Sequence, residues 1–190
     1  MSTEAKITIE TFKTVTKAIA QSDDLDIMTN HLSQLLVAAL DIKACAIYVL
    51  DLETKELEIL ASFGLTPKYL SKGPILADKS IGANLKGEPV IVPDVSKDDS
   101  IQYPEDAKKE GIAAILSIPI VVSGGVLGAL RLYHHETWHI SDEDLDSLRL
   151  LAEIIGLAMT YTSLLRAIYS IDEVIHMGLP INVAPPGRIR

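Results

Sequence analysis

The segment His135-Glu136-Thr137-Trp138-His139 carries the residue types of a zinc hydrolase. Two imidazoles four apart with a glutamate beside the first form H-E-x-x-H. That chemistry needs both histidines on one face of a helix, with Glu136 next to a metal-bound water. Here the motif falls between a strand ending at Tyr133 and a helix opening at Ser141, so the expectation is a short polar loop with Trp138 plugged under the helix start. A zinc-dependent hydrolase through His135, Glu136 and His139 is a remote alternative, and an incidental metal contact through His134, His135 or His139 a nearer one. No metal site and no catalytic residue is assigned. The single cysteine, Cys45, is a possible nucleophile. Its place near the start of an apolar strand favours a small buried hydrophobe instead.

A third group is spread along the middle of the chain. Phe63, Tyr69, Ile81, Asp94, Tyr103, Ser117 and Tyr133 combine apolar bodies with a few polar tips. Small-molecule pockets have that composition. These seven are the candidate border of a ligand cavity. The competing reading is that they pack a cap and satisfy its loops.

The elements that would position these residues follow from periodicity. Phe12, Val15 and Ile19 recur at helical spacing. After Ser22-Asp23-Asp24, which suits an N-cap, Leu25, Met28, Leu32, Leu35 and Ala39 define a second amphipathic helix. Ala44 to Leu50 is apolar on both faces, as in a central strand. Leu57, Ile59, Ala61 and Phe63 alternate with Glu56, Glu58, Leu60 and Ser62, which predicts a half-buried partner strand. Residues 65–111 hold only short pieces: helical turns around Pro67 to Ser71, Ser80 to Lys86 and Pro104 to Glu110, and a strand at Pro89 to Pro93. Their apolar content predicts a folded cap. Ala113 to Val122 and Val126 to Tyr133 flank Ser123-Gly124-Gly125, a hairpin signal.

The last element is a long helix opening at Ser141-Asp142-Glu143-Asp144, with acids on its positive end. Leu150, Ile154, Leu157, Tyr161, Leu164, Ile168, Ile171 and Ile175 form a heptad seam. A weaker seam, Leu148, Leu151, Ile155, Ala158, Thr162 and Leu165, runs beside it. At ~1.5 Å per residue this helix is roughly 50 Å long and overhangs a domain about 30 Å across. The expected partner is the same helix of a second chain, with Leu150, Ile154, Leu157, Tyr161, Leu164 and Ile168 at the dimer interface. The alternative is a break near Ser163 or Ser170.

The chain has 190 residues, 17 Lys and Arg against 26 Asp and Glu, and a net charge of -9. That sign argues against nucleic acid and anionic membrane as partners. The longest apolar stretches lie around Ile112 to Val122, already broken by Ser117, and are short of the ~18–20 residues a spanning helix needs. The N-terminus lacks a basic segment followed by an apolar one. One cysteine excludes an internal disulfide and a CxxC zinc site. The expected location is the cytoplasm. The expected division is one domain over 1–177 and a proline-rich tail over 178–190.

The order of these pieces resembles the GAF family. Cys45 to Asp51 resembles its first strand, and Leu57 to Leu65 its second strand and following turn. Ile81-Gly82 and Gly87-Glu88-Pro89-Val90 resemble the cap helix and the strand after it, followed by Pro93-Asp94-Val95. Glu110-Gly111-Ile112 to Pro119-Ile120, then Gly128 to Tyr133 and the Ser141 helix start, complete the match over about residues 10–165. The resemblance implies a mixed α/β (α+β) fold: a central antiparallel sheet of five or six strands, with N- and C-terminal helices on one side and an irregular helical cap on the other. It implies a non-catalytic sensor with a small-molecule pocket between sheet and cap, regulating an output that here would lie in a separate partner protein. The alternative is a ligand-free dimerisation scaffold. No cofactor is named by the sequence. A reductase of this family would need more than one cysteine, a tetrapyrrole a cysteine in the cap, and a cyclic nucleotide the family's Asn-Lys-Phe-Asp-Glu set, none of which is found.

Overall fold

In a computed structural model of the chain, residues 7–20, 24–76 and 86–176 are described. Six strands form one antiparallel sheet: β1 (Ala44–Leu50), β2 (Glu56–Phe63), β3 (Ile75–Leu76), β4 (Val90–Val92), β5 (Ala114–Val122) and β6 (Gly125–His134). Their spatial order is β3-β2-β1-β6-β5-β4. The long strands β1, β6 and β5 therefore occupy the centre, and short strands close both edges. Around the sheet lie α1 (Ile9–Ala20), α2 (Leu25–Leu40), α3 (Pro67–Leu70), α4 (Pro104–Glu110) and α5 (Asp142–His176), with a 3-10 turn at Val95–Lys97.

Alternation sorts each central strand onto two dry faces. Cys45 and Ile47 of β1, Leu130 and Leu132 of β6, and Leu116, Ile118 and Ile120 of β5 face the helices. They meet Met28, Leu32, Leu36 and Leu40 of α2 and Leu148, Leu151, Ala152 and Ile155 of α5. The opposite face carries Ala44, Ala46, Tyr48, Ala129, Tyr133 and Ile115, covered by Tyr69, Ile75, Val92, Val95, Ala107 and Ile112. The expected architecture is what the chain adopts. The β3 pair and the 3-10 turn add to the expected cap. The expected Ser80–Lys86 turn lies almost wholly, and the 178–190 tail entirely, outside the described residues.

Two close approaches set the packing. A Cβ on Gly128 of β6 would stand 1.9 Å from the carbonyl oxygen of Tyr48 in β1. A Cβ on Gly156 of α5 would stand 2.7 Å from Cγ2 of Val122 and 2.9 Å from Cγ2 of Ile120. The first is a backbone contact that cannot yield. The second lets α5 lie directly on the end of β5.

Helix ends are closed by side chains. The Asp24 carboxylate accepts from the N–H groups of Asp26 and Ile27 at 2.9 and 3.0 Å. At the start of α5, Ser141 Oγ accepts from the Asp144 N–H at 3.1 Å and donates to Asp144 Oδ2 at 2.9 Å. Asp144 Oδ1 accepts from the Ile7 N–H at 2.9 Å, tying the chain just before α1 to α5.

Helix α5 is continuous through Ser163 and Ser170 for 35 residues. The weaker seam is the one its own domain buries: Leu148, Leu151, Ile155 and Thr162 are buried. The stronger seam faces outward. Leu150 is 49% exposed, Leu157 and Tyr161 are 61% exposed, and Leu164 and Ile168 are 59% exposed, while Ile154 is half-buried. Within Asp142–Ile171, this helix reaches a mean hydropathy of 1.4 and is long and apolar enough to cross a membrane by length and composition. That corrects the expectation from unbroken apolar runs, which interspersed polar residues had interrupted. Its first half is packed on β5, and 44% of the apolar window is buried inside the fold.

Gly128→Ala is expected to cost at least ~2 kcal/mol, because strand backbone must separate to admit the methyl group. Urea denaturation measures it; a loss below ~0.5 kcal/mol would mean that β1 and β6 yield easily.

Candidate functional site

The cap face of the sheet builds a site from three rows of paired residues. Ala44, Tyr133 and Ile115 form one row, Ala46, Arg131 and Ser117 the next, and Tyr48, Ala129 and Pro119 the third. Small neighbours flank Arg131 on both sides. Arg131 thus rises between Ala46 and Ser117, with a tyrosine in each adjoining row. The two phenols meet, Tyr48 Oη to Tyr133 Oη at 3.0 Å. The guanidinium carbon of Arg131 lies 5.5 Å from the Tyr48 ring centroid, a cation–π distance.

The cap adds Tyr69 and Lys72. Thr66 caps α3, its hydroxyl accepting from the Tyr69 N–H at 3.2 Å. Pro67 takes the first helical position, where its missing N–H costs nothing. This sets the Tyr69 ring edge-on to Tyr133, with centroids 6.0 Å apart and planes at 85°. Lys72 folds back so that Nζ sits 3.8 Å above the Tyr69 ring and donates to the Tyr69 carbonyl at 3.1 Å. Tyr103 Oη donates to the Pro74 carbonyl at 2.8 Å. Gln102 donates to the same carbonyl at 3.0 Å and accepts from the Leu76 N–H at 3.1 Å. Glu110 accepts from the Thr66 N–H at 2.9 Å and from its hydroxyl at 2.5 Å, with Lys43 Nζ at 3.8 Å. These bonds fasten residues 66–76 to the segment at and before α4.

Between cap and sheet lies a cavity of about 30 Å³, walled by Tyr69, Lys72, Ile75, Val90, Val92, Ser100, Ile101, Gln102, Tyr103, Ile115, Ser117 and Arg131. That volume holds about two water molecules. It is far below the ~300 Å³ of a typical metabolite pocket.

Of the expected border residues, Tyr69, Tyr103 and Ser117 line this cavity, and Tyr133 is buried beneath it against Tyr69. Asp94 does not reach it. Its carboxylate accepts from the Ser96 N–H at 3.0 Å and pairs with Lys97 at 2.7 Å, in a separate hollow with Asp98, Asp99 and Glu105. The Lys97 bond, with help from Ser96, lowers the Asp94 carboxyl to about 2. Phe63 is on the other face of the sheet. Tyr48 pairs with Ile59 but Ile47 pairs with Ala61, so Leu60 is an extra residue in β2. This bulge reverses the alternation after it. Phe63 pairs with Cys45 on the helix side and is 44% exposed. Ile81 lies outside the described residues.

Arg131 and Lys72 were missed. A charged residue between Leu130 and Leu132 in a buried strand was the available signal for Arg131. Nothing in the sequence marked Lys72, whose position depends on the turn after α3.

The zinc-hydrolase geometry is not present. His135 to Ile140 form a loop, so the two histidines share no helical face. His134 stacks on His135 at 4.7 Å and contacts Trp138 at 5.3 Å, and its Nδ1 accepts from the Glu136 N–H at 3.0 Å. Trp138 packs against the helix-side core, with its backbone N–H on the Pro93 carbonyl at 3.1 Å. Among the described residues no three His, Cys, Asp or Glu side chains converge on a common point. Cys45 is fully buried, and burial pushes its thiol up to about 12. That disfavours the thiolate a nucleophile needs.

A family model described as the GAF domain matches residues 22–160. The chain belongs to the GAF domain family. No curated protein matches it by sequence. Solved GAF folds agree closely in architecture. The GAF domain of a phosphoenolpyruvate-protein phosphotransferase from Coxiella burnetii is 20% identical, with a TM-score of 0.75, covering 87% of this chain and 99% of that one. A free methionine-R-sulfoxide reductase from Neisseria meningitidis, solved with its substrate, is 18% identical, with a TM-score of 0.73 over 86% and 94%. A GAF domain/HD domain protein from Geobacter sulfurreducens is 20% identical, with a TM-score of 0.64 over 79% and 98%. These identities establish a shared fold. GAF domains occur in signalling and ligand-sensing proteins, and in this GAF domain the cavity lies between sheet and cap.

Lys72 makes the site visible in a pH titration. Burial, then the charge of Arg131, lowers its ammonium from 10.5 to about 8, against the opposing pull of Asp106 and Glu110. Between about pH 8 and 10.5 the unfolded chain binds the extra proton, so this group's contribution to stability rises with pH. Cys45, Tyr48, Tyr69 and Tyr133 have raised values and act with the opposite sign above pH 9. The Lys72 effect is therefore read as a difference. The stability of wild type minus that of Lys72→Met, from denaturant midpoints, is expected to increase from about pH 8 to about pH 10. A flat difference would show that the ammonium is not desolvated.

Proposed function

We propose that this GAF domain is a non-catalytic regulatory module that works as a homodimer paired through α5. A small molecule in the cap cavity biases the pairing, and the paired helices pass the change to a separate signalling protein. The observation that carries this reading is the outward seam of Leu150, Leu157, Tyr161, Leu164 and Ile168 on one continuous helix. A contiguous apolar stripe of this length is costly to leave in water. Its heptad spacing suits a second copy of the same helix, for which a two-fold axis is the commonest arrangement. Ligand control follows if the two cap arrangements bind the molecule unequally. The cytoplasm remains the location this reading assumes.

A second reading is favoured by the small cavity: a module whose cap is filled by its own side chains, acting only as a dimerising scaffold. The two share the dimer and differ in ligand binding.

Light scattering after size exclusion tests the shared part. Wild type at about 10 µM is expected to run as a dimer. The double substitution Leu157→Glu with Leu164→Glu is expected to weaken association at least about 100-fold, since each buried leucine contributes ~1.5–3 kcal/mol. Its far-UV circular dichroism should stay native, because neither side chain packs in the core. A wild-type monomer, or a double variant that remains dimeric, would refute pairing through this seam. Association only with detergent or lipid would assign the seam to a membrane instead.

A further inference from the structure

We propose that the cap cavity binds the carboxylate group of a small organic acid, held between Arg131 and Lys72. This rests on the small-molecule reading above and names the chemistry of its ligand.

Two cationic side chains line one small cavity in a chain whose net charge is -9. They reach it from opposite sides. Arg131 stands on the central strand β6 in register with Ala46 and Ser117, its guanidinium walled by Tyr48 and hydrogen-bonded to Tyr133. Lys72 enters from the cap, steadied over the Tyr69 ring and lying 5.6 Å from the Tyr103 ring. Of its ammonium hydrogens, one goes to the Tyr69 carbonyl. Among the described residues that line the cavity, none is acidic. Asp106 and Glu110 of α4 act on Lys72 from outside the lining, and Glu110 is already engaged with Thr66 and Lys43.

A guanidinium fork matches the two oxygens of a carboxylate, and an ammonium adds a third charge-assisted bond without needing fixed geometry. The Ser117 hydroxyl stands beside Arg131 in the same row. Apolar and aromatic walls raise the strength of such bonds by excluding water. Size limits the group further. The cavity volume is about 30 Å³. Space for about two waters admits about two or three heavy atoms, the bulk of a carboxylate group. A larger acid would place its carboxylate here and its remainder toward the cap. The charged groups that face Lys72 are Arg131 from β6 and Asp106 and Glu110 from α4, with Tyr69 and Tyr103 as its aromatic walls. A bound carboxylate would add the opposite charge that Arg131 withholds. Binding therefore draws a proton onto Lys72 and weakens as pH rises above about 8.

The test is a thermal-shift titration of the full chain at constant ionic strength with sodium formate, acetate and propionate. Sodium chloride, sodium sulfate, acetamide and methylammonium chloride are the comparison solutes. Saturable stabilisation by acetate, absent with chloride and acetamide, is the expected result. Acetate affinity should fall at least about tenfold in Lys72→Met, the loss of one charge-assisted hydrogen bond. The decline above about pH 8 should disappear with it. Arg131→Lys, which keeps the charge and loses the fork, should also weaken acetate if it folds; Lys72→Met alone decides if it does not. Equal shifts from acetate and chloride, stronger binding of sulfate than of acetate, or an unchanged affinity in Lys72→Met would overturn the proposal. A saturable shift from acetamide or methylammonium without one from acetate would overturn the carboxylate and leave small-molecule sensing intact. No shift from any solute, with the dimer still present by light scattering, would overturn the proposal and transfer the function to the scaffold reading.

Discussion

The fold depends on burying both faces of one antiparallel sheet. A strand at the centre of such a sheet has no wet side, so β1, β6 and β5 must be apolar in both registers and need a layer on each face. The two layers are unequal. Helices α2 and α5 cover one face with regular ridges of leucine and isoleucine. Short pieces within residues 65–76 and 86–112 cover the other. A cap made of such pieces fits less closely than a helix, and large side chains must reach down from it to close the gaps. Tyr69 reaches down from the cap and meets the Tyr48–Tyr133 pair, which rises from the sheet. The cavity is the remaining gap, and its position follows from the small residues Ala46 and Ser117 on either side of Arg131.

The regular half of the molecule was legible from the residues, and the cap only in outline. Periodicity placed β1 at Ala44–Leu50 and carried α5 past Ser163, because burial on one face or both leaves a repeating mark in the chain. The Ser123-Gly124 turn was equally readable. Both residues have positive φ, 52° at Ser123 and 79° at Gly124. That is the hairpin form that matches strand twist. Phe63 shows where such reasoning stops. A single extra residue at Leu60 moves every later side chain of β2 to the opposite face. Leu60 is as apolar as its neighbours, so nothing in the pattern signals the change. Asp94 shows a different failure. An aspartate in an irregular segment can point at a ligand or cap its own turn. Hydrogen bonding to Ser96 and Lys97 decided it locally. Lys72 and Arg131 come from distant parts of the chain, and only the pairing of cap with sheet brings them to one cavity.

The two seams of α5 divide its apolar surface between the domain and whatever lies outside. Sequence ranked Leu150, Leu157 and Leu164 above Leu148, Leu151 and Ile155, yet the lower-ranked row is the one in the core. The reason is in the requirements of each surface. A helix lying on a sheet tolerates alanine and glycine where it comes closest, as at Ala152 and Gly156. The outward row keeps bulky residues at successive turns, the spacing that the proposed pairing with a second helix would use.

Gly156 also sets how closely the helix lies on the sheet. The absence of a side chain there puts the axis of α5 against Val122 and Ile120 at the end of β5, while the Asp144 bond to Ile7 holds its beginning. From Gly156 to His176 the helix extends roughly 30 Å at ~1.5 Å per residue. On so long a rod angle would multiply into distance: a tilt of about 4° at that contact would sweep the far end sideways by about 2 Å over that length. A shift of the β5–β6 hairpin too small to disturb any hydrogen bond in the sheet would arrive at the tip as a displacement comparable to the width of an atom.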